Sequence, residues 1–300
     1  MKIALTTVVR AAKHGDVHGG FYVIDYPSKE VLFHSTCSED FAGDNERGGE
    51  RGLRGIAVVD DKIYIAGSNS ISILDSETFK PISSRHDRIY LNSVHEICYH
   101  DDHLWVTSTG QDCIVKLDKY LNVIDCWHIV GVQHEIHHTV ANKVKVESVS
   151  GLQDKIHVNS ISAHNGRLVF SGALTPLYDF DTLEEVQDLV IGGFTHNFEE
   201  YPDLVLANKT YVQKLEVITD YDRIFYPIPP HMGKIDRIDD EIAKSNWLRG
   251  MVRKDNLVFL GSSPARILVF DLDTRSFIDE IKLSSDPRCC VHGIDLLGVY

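Results

Sequence analysis

The chain has no C-x-x-C cysteine pair, no basic run, no low-complexity tract and no apolar stretch as long as a membrane span. Each absence removes a class of protein. Without C-x-x-C spacing, the six cysteines (Cys37, Cys98, Cys113, Cys126, Cys289 and Cys290) read as reduced thiols rather than a zinc ribbon or a disulfide framework. The adjacent pair Cys289-Cys290 makes a poor metal clamp, since neighbours on a strand point to opposite faces. No segment approaches the ~20 apolar residues of a spanning helix. Lys2–Val9 is too short for a secretion signal and is needed as a strand, so the expected location is cytoplasmic. The 30 basic residues are outnumbered by 44 acidic ones, a net charge of −14. That balance argues against nucleic acid or an anionic membrane as partner, because either would need a basic face.

What the chain does have is a repeat. Leu53-Arg54-Gly55-Ile56, Val94-His95-Glu96-Ile97, Val158-Asn159-Ser160-Ile161, Thr195-His196-Asn197-Phe198, Leu248-Arg249-Gly250-Met251 and Val291-His292-Gly293-Ile294 are copies of one motif. Each opens a set of short β-like runs joined by Asp, Asn or Gly turns, which are hairpin signals because those residues tolerate left-handed backbone. The first full copy reads as strands over Leu53–Val59, Lys62–Ala66 and Ser70–Asp75, and an aspartate (Asp25, Asp75, Asp118, Asp181, Asp271) closes the third run in five copies. Those aspartates read as turn residues. After Ile294 the chain ends within six residues, and the missing runs lie at the start, in Lys2–Val9, Phe21–Asp25 and Val31–His34. A repeat divided between the termini implies a ring closed by its own ends, which also removes exposed sheet edges. The expected fold is therefore all-β: one six-bladed β-propeller over residues 1–300. Its blades lie near 52–91, 92–127, 156–190, 193–225, 246–283, and 289–300 with 1–36.

The long segments between strands, Arg10–Gly20, Cys37–Arg51, His128–Lys155 and Tyr226–Asn246, all belong to the face where the inner strands begin. Long loops on one face of a rigid scaffold usually carry function, so the site is expected there, over the channel. Asp236–Lys244 reads as a short acidic helix over that face. Aligning the copies puts Arg54, His95, Asn159, His196, Arg249 and His292 at one register position, where a core position would hold Val, Ile or Ala. Three histidines brought together by symmetry suit a divalent transition metal such as Fe, Mn or Zn, with open positions for substrate. His95, His196 and His292 are the expected ligands. Arg54 and Arg249 are expected to bind a carboxylate or phosphate on a small anionic substrate, with Asn159, His134 and His138 also contacting it. Glu96 and His157 are candidate catalytic acid–base groups, although Glu96 beside His95 on a regular strand would point away. His14, Asp16 and His18 could add ligands from above. His134-Glu135-Ile136-His137-His138 formally matches H-E-x-x-H, but no amphipathic helix surrounds it, and a lid over the ligand is the better reading.

The architecture resembles six-bladed propellers of the lactonase and sugar-lactone hydrolase type, and the inner-strand histidines are similar to those of other propeller metalloenzymes. That resemblance implies histidine-held iron, as in carotenoid-cleaving oxygenases, or manganese held by three histidines and an amide, as in oligogalacturonate lyases. The calcium-binding Glu, Asn and Asp pattern of the lactonases is absent from the ring. The expected function is a metal-dependent lyase, hydrolase or oxygenase acting on a small anionic substrate. The alternative is a non-catalytic propeller that binds a ligand or protein through its decorated face.

Overall fold

Alternation of apolar and polar residues, broken every few residues by turn formers, yields short antiparallel strands arranged as a ring of six sheets. The computed structural model describes residues 1–13, 15–38, 52–135, 137–164, 166–187, 195–231, 235 and 247–298. The first blade comprises β4 (Ile56–Val59), β5 (Lys62–Ala66), β6 (Ser70–Asp75) and β7 (Pro81–His86). The second holds β8 (Val94–His100), β9 (His103–Ser108), β10 (Cys113–Leu117), β11 (Val123–Gln133) and β12 (His138–Lys145). The third runs from β13 (Val158–His164) through β14 (Arg167–Gly172) and β15 (Leu177–Asp179) to β16 (Glu185–Gln187). The fourth is β17 (Thr195–Glu200), β18 (Val205–Lys209), β19 (Lys214–Ile218) and β20 (Arg223–Pro227). The fifth is β21 (Arg249–Lys254), β22 (Leu257–Ser262), β23 (Arg266–Asp271) and β24 (Ser276–Lys282).

The sixth blade is divided between the termini. Its innermost strand β25 (Cys289–Leu297) pairs with β1 (Lys2–Val9) from Lys2↔Leu297 to Val9↔Cys289, followed outward by β2 (Gly19–Asp25) and β3 (Val31–Cys37). The six-bladed ring and its closure by the C-terminal strand stand as the repeat predicts.

Two local expectations change. The segment His128–Lys155 is not a lid. Most of it continues β11 and returns as β12, a fifth outer strand whose pairing runs from Trp127↔Lys145 to Gln133↔His138. Pairing satisfies the outer amides of β11, which a loop would have left to solvent. In the third blade the turn-closing carboxylate is Asp179, which accepts the amides of Asp181 at 2.9 Å and Thr182 at 3.0 Å; Asp181 only follows it. Asp75 and Asp271 do the same for their turns, as expected. The proposed helix Asp236–Lys244 lies outside the described residues.

The core sits between blades, with a separate apolar cluster at each of the six interfaces. Ala57 and Tyr64 pack on Leu104 and Val115, and Phe259 and Ile267 pack on Ile3 and Val291. Burial is thus accomplished blade against blade, and the inner edge of the ring is left for polar side chains.

Candidate functional site

Every inner strand carries a β-bulge at the motif position. The register slips between Val94 and Ile97, Val158 and Ser160, His196 and Phe198, and Arg249 and Met251, and opposite Thr6 and Thr7 in the last blade. In the first blade Ala66 faces two residues, accepting from the Arg54 amide and donating to the Gly55 carbonyl. A bulge sets two residues against one and re-aims their side chains. Consecutive residues therefore both reach the channel. This corrects the expectation for Glu96, which faces inward although it adjoins His95.

The bulge builds two levels. The upper level holds the six motif residues, with His95, His196 and His292 on alternate blades and Arg54, Asn159 and Arg249 between them. All three histidines are buried. The His95 ring lies 5.9 Å from that of His196 and 5.4 Å from that of His292, centroid to centroid. His157 joins from above, 5.1 Å from His95 and edge-on. Desolvation, then the charges of Arg54 and Arg249, hold the His95 imidazole well below its ordinary pKa; desolvation and Arg249 do so at His196 and His292. The three are neutral at pH 7.

Hydrogen bonds select the tautomers. The Thr210 hydroxyl donates its one hydrogen to the Leu248 carbonyl at 2.7 Å, so its 3.0 Å bond to His196 must use an Nδ1–H. His196 Nε2 then carries a lone pair, which the Asn159 amide meets at 3.3 Å. Arg249 Nη1 donates to His292 Nε2 at 2.6 Å, so that nitrogen also bears a lone pair. Arg54 Nη1 donates to the Val94 carbonyl at 2.8 Å. Buried Nδ1 of His95, Nδ1 of His292 and Oδ1 of Asn159 have no hydrogen-bond partner among the described residues.

His157 owes its place to two carboxylates. Asp112 accepts the amides of Lys155 at 2.6 Å, Ile156 at 2.8 Å and Val158 at 2.9 Å, which pins the chain on both sides of residue 157. His157 itself sits at φ +58, before the regular strand begins. Asp154 Oδ2 lies 2.7 Å from its Nδ1. A carboxylate on Nδ1 leaves Nε2 as the proton acceptor, the arrangement of an oriented general base.

The lower level starts one residue further along. Asn197 reaches across the channel, donating to Glu96 Oε2 at 2.5 Å while its Oδ1 accepts the Gly250 amide at 2.6 Å. This bridge floors the upper level. Beneath it lies a cavity of about 470 Å³ that runs to the far ends of the inner strands, at Asp60, Tyr99 and Arg253. Glu199 and Asp295, each three residues past a ring histidine, line it together with Glu96. Burial lifts Glu96 and Glu199 to about 8 and Asp295 to about 6. The channel is thus basic above and acidic below.

The expected site residues divide accordingly. Arg54, His95, Asn159, His196, Arg249 and His292 come together, with His157 above and Glu96 below. His134 and His138 sit at the turn between β11 and β12. There His134 stacks on His137 at 4.5 Å and bonds Thr139, and the His138 amide donates to Leu174; no contact with the ring appears among the described residues. The H-E-x-x-H match is a hairpin tip, which lacks the helical spacing that its chemistry needs. His18 is buried, and its Nδ1 accepts the Gly52 amide at 3.0 Å; His14 lies outside the described residues. The described cavity opens toward the tight-turn face, not toward the decorated face where a site was expected. Sequence reasoning missed Asp154, Asp112, Thr210, Asn197, Glu199 and Asp295. The last two were detectable, since the alignment that yields the ring also places them at one shared register position. Among the described residues no group of three or more His, Cys, Asp or Glu is disposed to hold a metal ion, and the Nε2 lone pairs of His196 and His292 are engaged within the ring.

No family model and no curated protein sequence matches this chain. Solved structures do resemble it. A chain of the nidogen/laminin complex superposes with a TM-score of 0.60 at 10% identity, over 98% of this chain and 97% of that one. A Bacteroides caccae protein of unknown function gives 0.58 at 8% identity over the same shares. Apo AztD from Citrobacter koseri gives 0.50 at 11% identity, over 98% of each chain. At such identities the likeness extends to the propeller fold alone.

Proposed function

We propose that this propeller is an enzyme acting at the upper level of its channel on a small anionic substrate, with a divalent transition metal recruited by His95, His196 and His292. The carrying observation is that alternate blades set three neutral imidazoles at one level of the ring, with His95 beside both of the others. Imidazoles that share one ion at about 2.0–2.1 Å stand about 5 Å apart, centroid to centroid. The separations of His95 from His292 and from His196, 5.4 and 5.9 Å, come within about 1 Å of that spacing. Asn159 and Arg249 occupy the lone pairs of His196 and His292 meanwhile. A carboxylate or phosphate on the substrate draws Arg249 off His292 and frees Nε2, so anion and metal favour each other's binding. When bound, the metal supplies Lewis-acid chemistry for a lyase or hydrolase, or oxygen chemistry for an oxygenase. His157, oriented by Asp154, takes a proton from the substrate, and Glu96 stores one below.

The test is elemental analysis of purified protein, with and without each of His95→Ala, His196→Ala and His292→Ala. One equivalent of Fe, Mn or Zn, lost in every variant, is expected. Arg249→Met should weaken binding of small carboxylates by a few kcal/mol, the scale for truncating a buried charge pair, while neutral amides are unaffected. A metal-free protein that still prefers acids would select the second reading, a non-catalytic propeller that binds a ligand through the same ring. The internal engagement of the histidine nitrogens favours that reading.

A further inference from the structure

We propose, resting on the reading of Arg249 as the group that meets a carboxylate, that Trp247 is a positioning residue of the upper level. Its indole aims the Arg249 guanidinium at His292 and so sets how strongly the ring holds an anion. Trp247 stands two residues before Arg249 and is half-buried. The Arg249 Cζ lies over its ring, 5.6 Å from the centroid, and the Arg10 Cζ lies 4.8 Å from the same centroid. Both separations fall inside the ~6 Å reach of a cation–π contact, whose attraction grows as water is excluded. Among the described residues Trp247 joins none of the six apolar clusters, whereas Trp105 and Trp127 stack 5.6 Å apart between the second and third blades. The contacts of the Trp247 indole are with guanidinium groups rather than with core.

Both ends of this stack are fixed. Arg10, which follows β1 in the sixth blade, is buried. It donates from Nη2 to the Pro287 carbonyl at 2.8 Å and to the Ser263 hydroxyl at 3.5 Å, and from Nε to the Arg288 carbonyl at 3.5 Å. Ser263, which follows β22 in the fifth blade, also accepts the Trp247 amide on its Oγ at 3.1 Å. The indole is therefore tied to two blades at once. At the other end, Arg249 Nη1 donates to His292 Nε2 at 2.6 Å. Without a face to lie on, the long Arg249 side chain would sample several rotamers, and anion binding would bear the entropy cost of ordering it. Two guanidinium groups on one indole also repel each other, and an anion beside Arg249 relieves that repulsion.

Nitrogen-15 NMR of the histidines and calorimetric titration with acetate, against acetamide as the neutral analogue, test this in the chelator-treated full chain. The variants are Trp247→Leu, Trp247→Phe and Arg249→Met, each first shown to melt cooperatively. In Trp247→Leu the His292 Nε2 signal, assigned by its loss in His292→Ala, should move toward its position in Arg249→Met. Acetate affinity should fall about tenfold there, the scale of a partly desolvated cation–π contact, with acetamide unaffected. Trp247→Phe keeps a π face and should retain most of both. An unmoved His292 signal in Trp247→Leu, or a loss in Trp247→Phe as large as in Trp247→Leu, would overturn the assignment and leave Trp247 a filler of space. No acetate binding by the wild-type chain would overturn the anion reading of Arg249 instead, and the His292 signal would still decide the place of Trp247.

Discussion

At the scale of single residues, the chemistry of the ring is set by partners that the motif itself does not contain. His196 has one tautomer because Thr210 spends its only hydrogen on Leu248. Nitrogen-15 NMR should find Nδ1 protonated and Nε2 bare, and Thr210→Val should mix the tautomers. Under the metal role proposed above, losing this orienting partner of His196 is expected to lower metal affinity by about 10–100-fold. Charge burial makes stability depend on pH in two directions. The ring histidines titrate below their unfolded value of 6.5, so their contribution is present above that pH and is lost as the solution is acidified. Glu96 and Glu199 titrate near 8 against 4.5 when unfolded, so the folded state holds the extra protons and their contribution is lost as pH rises from 4.5 through 8. Urea unfolding should therefore show stability falling between pH 6.5 and 8. Glu96→Gln, which cannot ionise, should flatten that fall. An equally steep decline in the variant would mean that Glu96 is solvated.

At the scale of the strand, the bulge is the device on which the site depends. It turns two consecutive side chains inward and brings neighbouring inner strands so close that several blades use glycine at its second position. A Cβ on Gly293 would stand 2.5 Å from the Arg54 carbonyl oxygen and 2.9 Å from Thr6 Oγ1. Gly250 is in the left-handed region at φ +68, and its Cβ would meet the His292 carbonyl at 3.0 Å. Gly293→Ala is expected to cost about 1–3 kcal/mol in chemical denaturation, the range for forcing atoms into a packed interior. An exposed glycine with open space around it, Gly151, should tolerate alanine better, with only its left-handed φ at issue. Threonine hydroxyls bind the bulges together across blades: Thr6 donates to Arg54 and Thr109 to Val158.

At the scale of the molecule, the ring has one seam between the termini. β25 supplies the inner edge of the last blade, the ring histidine His292 and the chamber carboxyl Asp295, and its Val291 packs on Phe259 of the blade before. Ending the chain after Arg288 should leave β1 with an open inner edge and abolish cooperative melting by circular dichroism. A truncated protein that melts like the whole would show that the seam contributes little. Since each blade buries its apolar surface against its neighbours, loss of one inner strand is felt on both sides.

The periodicity of the motif and its division between Ile294 and Lys2 were enough, by themselves, to determine six blades and their closure, because strand alternation and turn chemistry are local properties of sequence. The same alignment put Arg54, His95, Asn159, His196, Arg249 and His292 in one ring, since equivalent register in a radial repeat means equivalent height in the channel. What local pattern could not decide was direction. A bulge is a mismatch between two strands, so the inward turn of Glu96 depends on how β8 meets β9, and that is settled only when both are paired. The same holds for the segment after His128, whose alternation permits a strand but becomes one only by finding the edge of β11. Asp154, Asp112 and Thr210 act on histidines that lie three to forty-five residues away in the chain, distances that carry no periodic signal. Tertiary packing alone joined them, and it alone separated the channel into a basic upper level and an acidic chamber beneath.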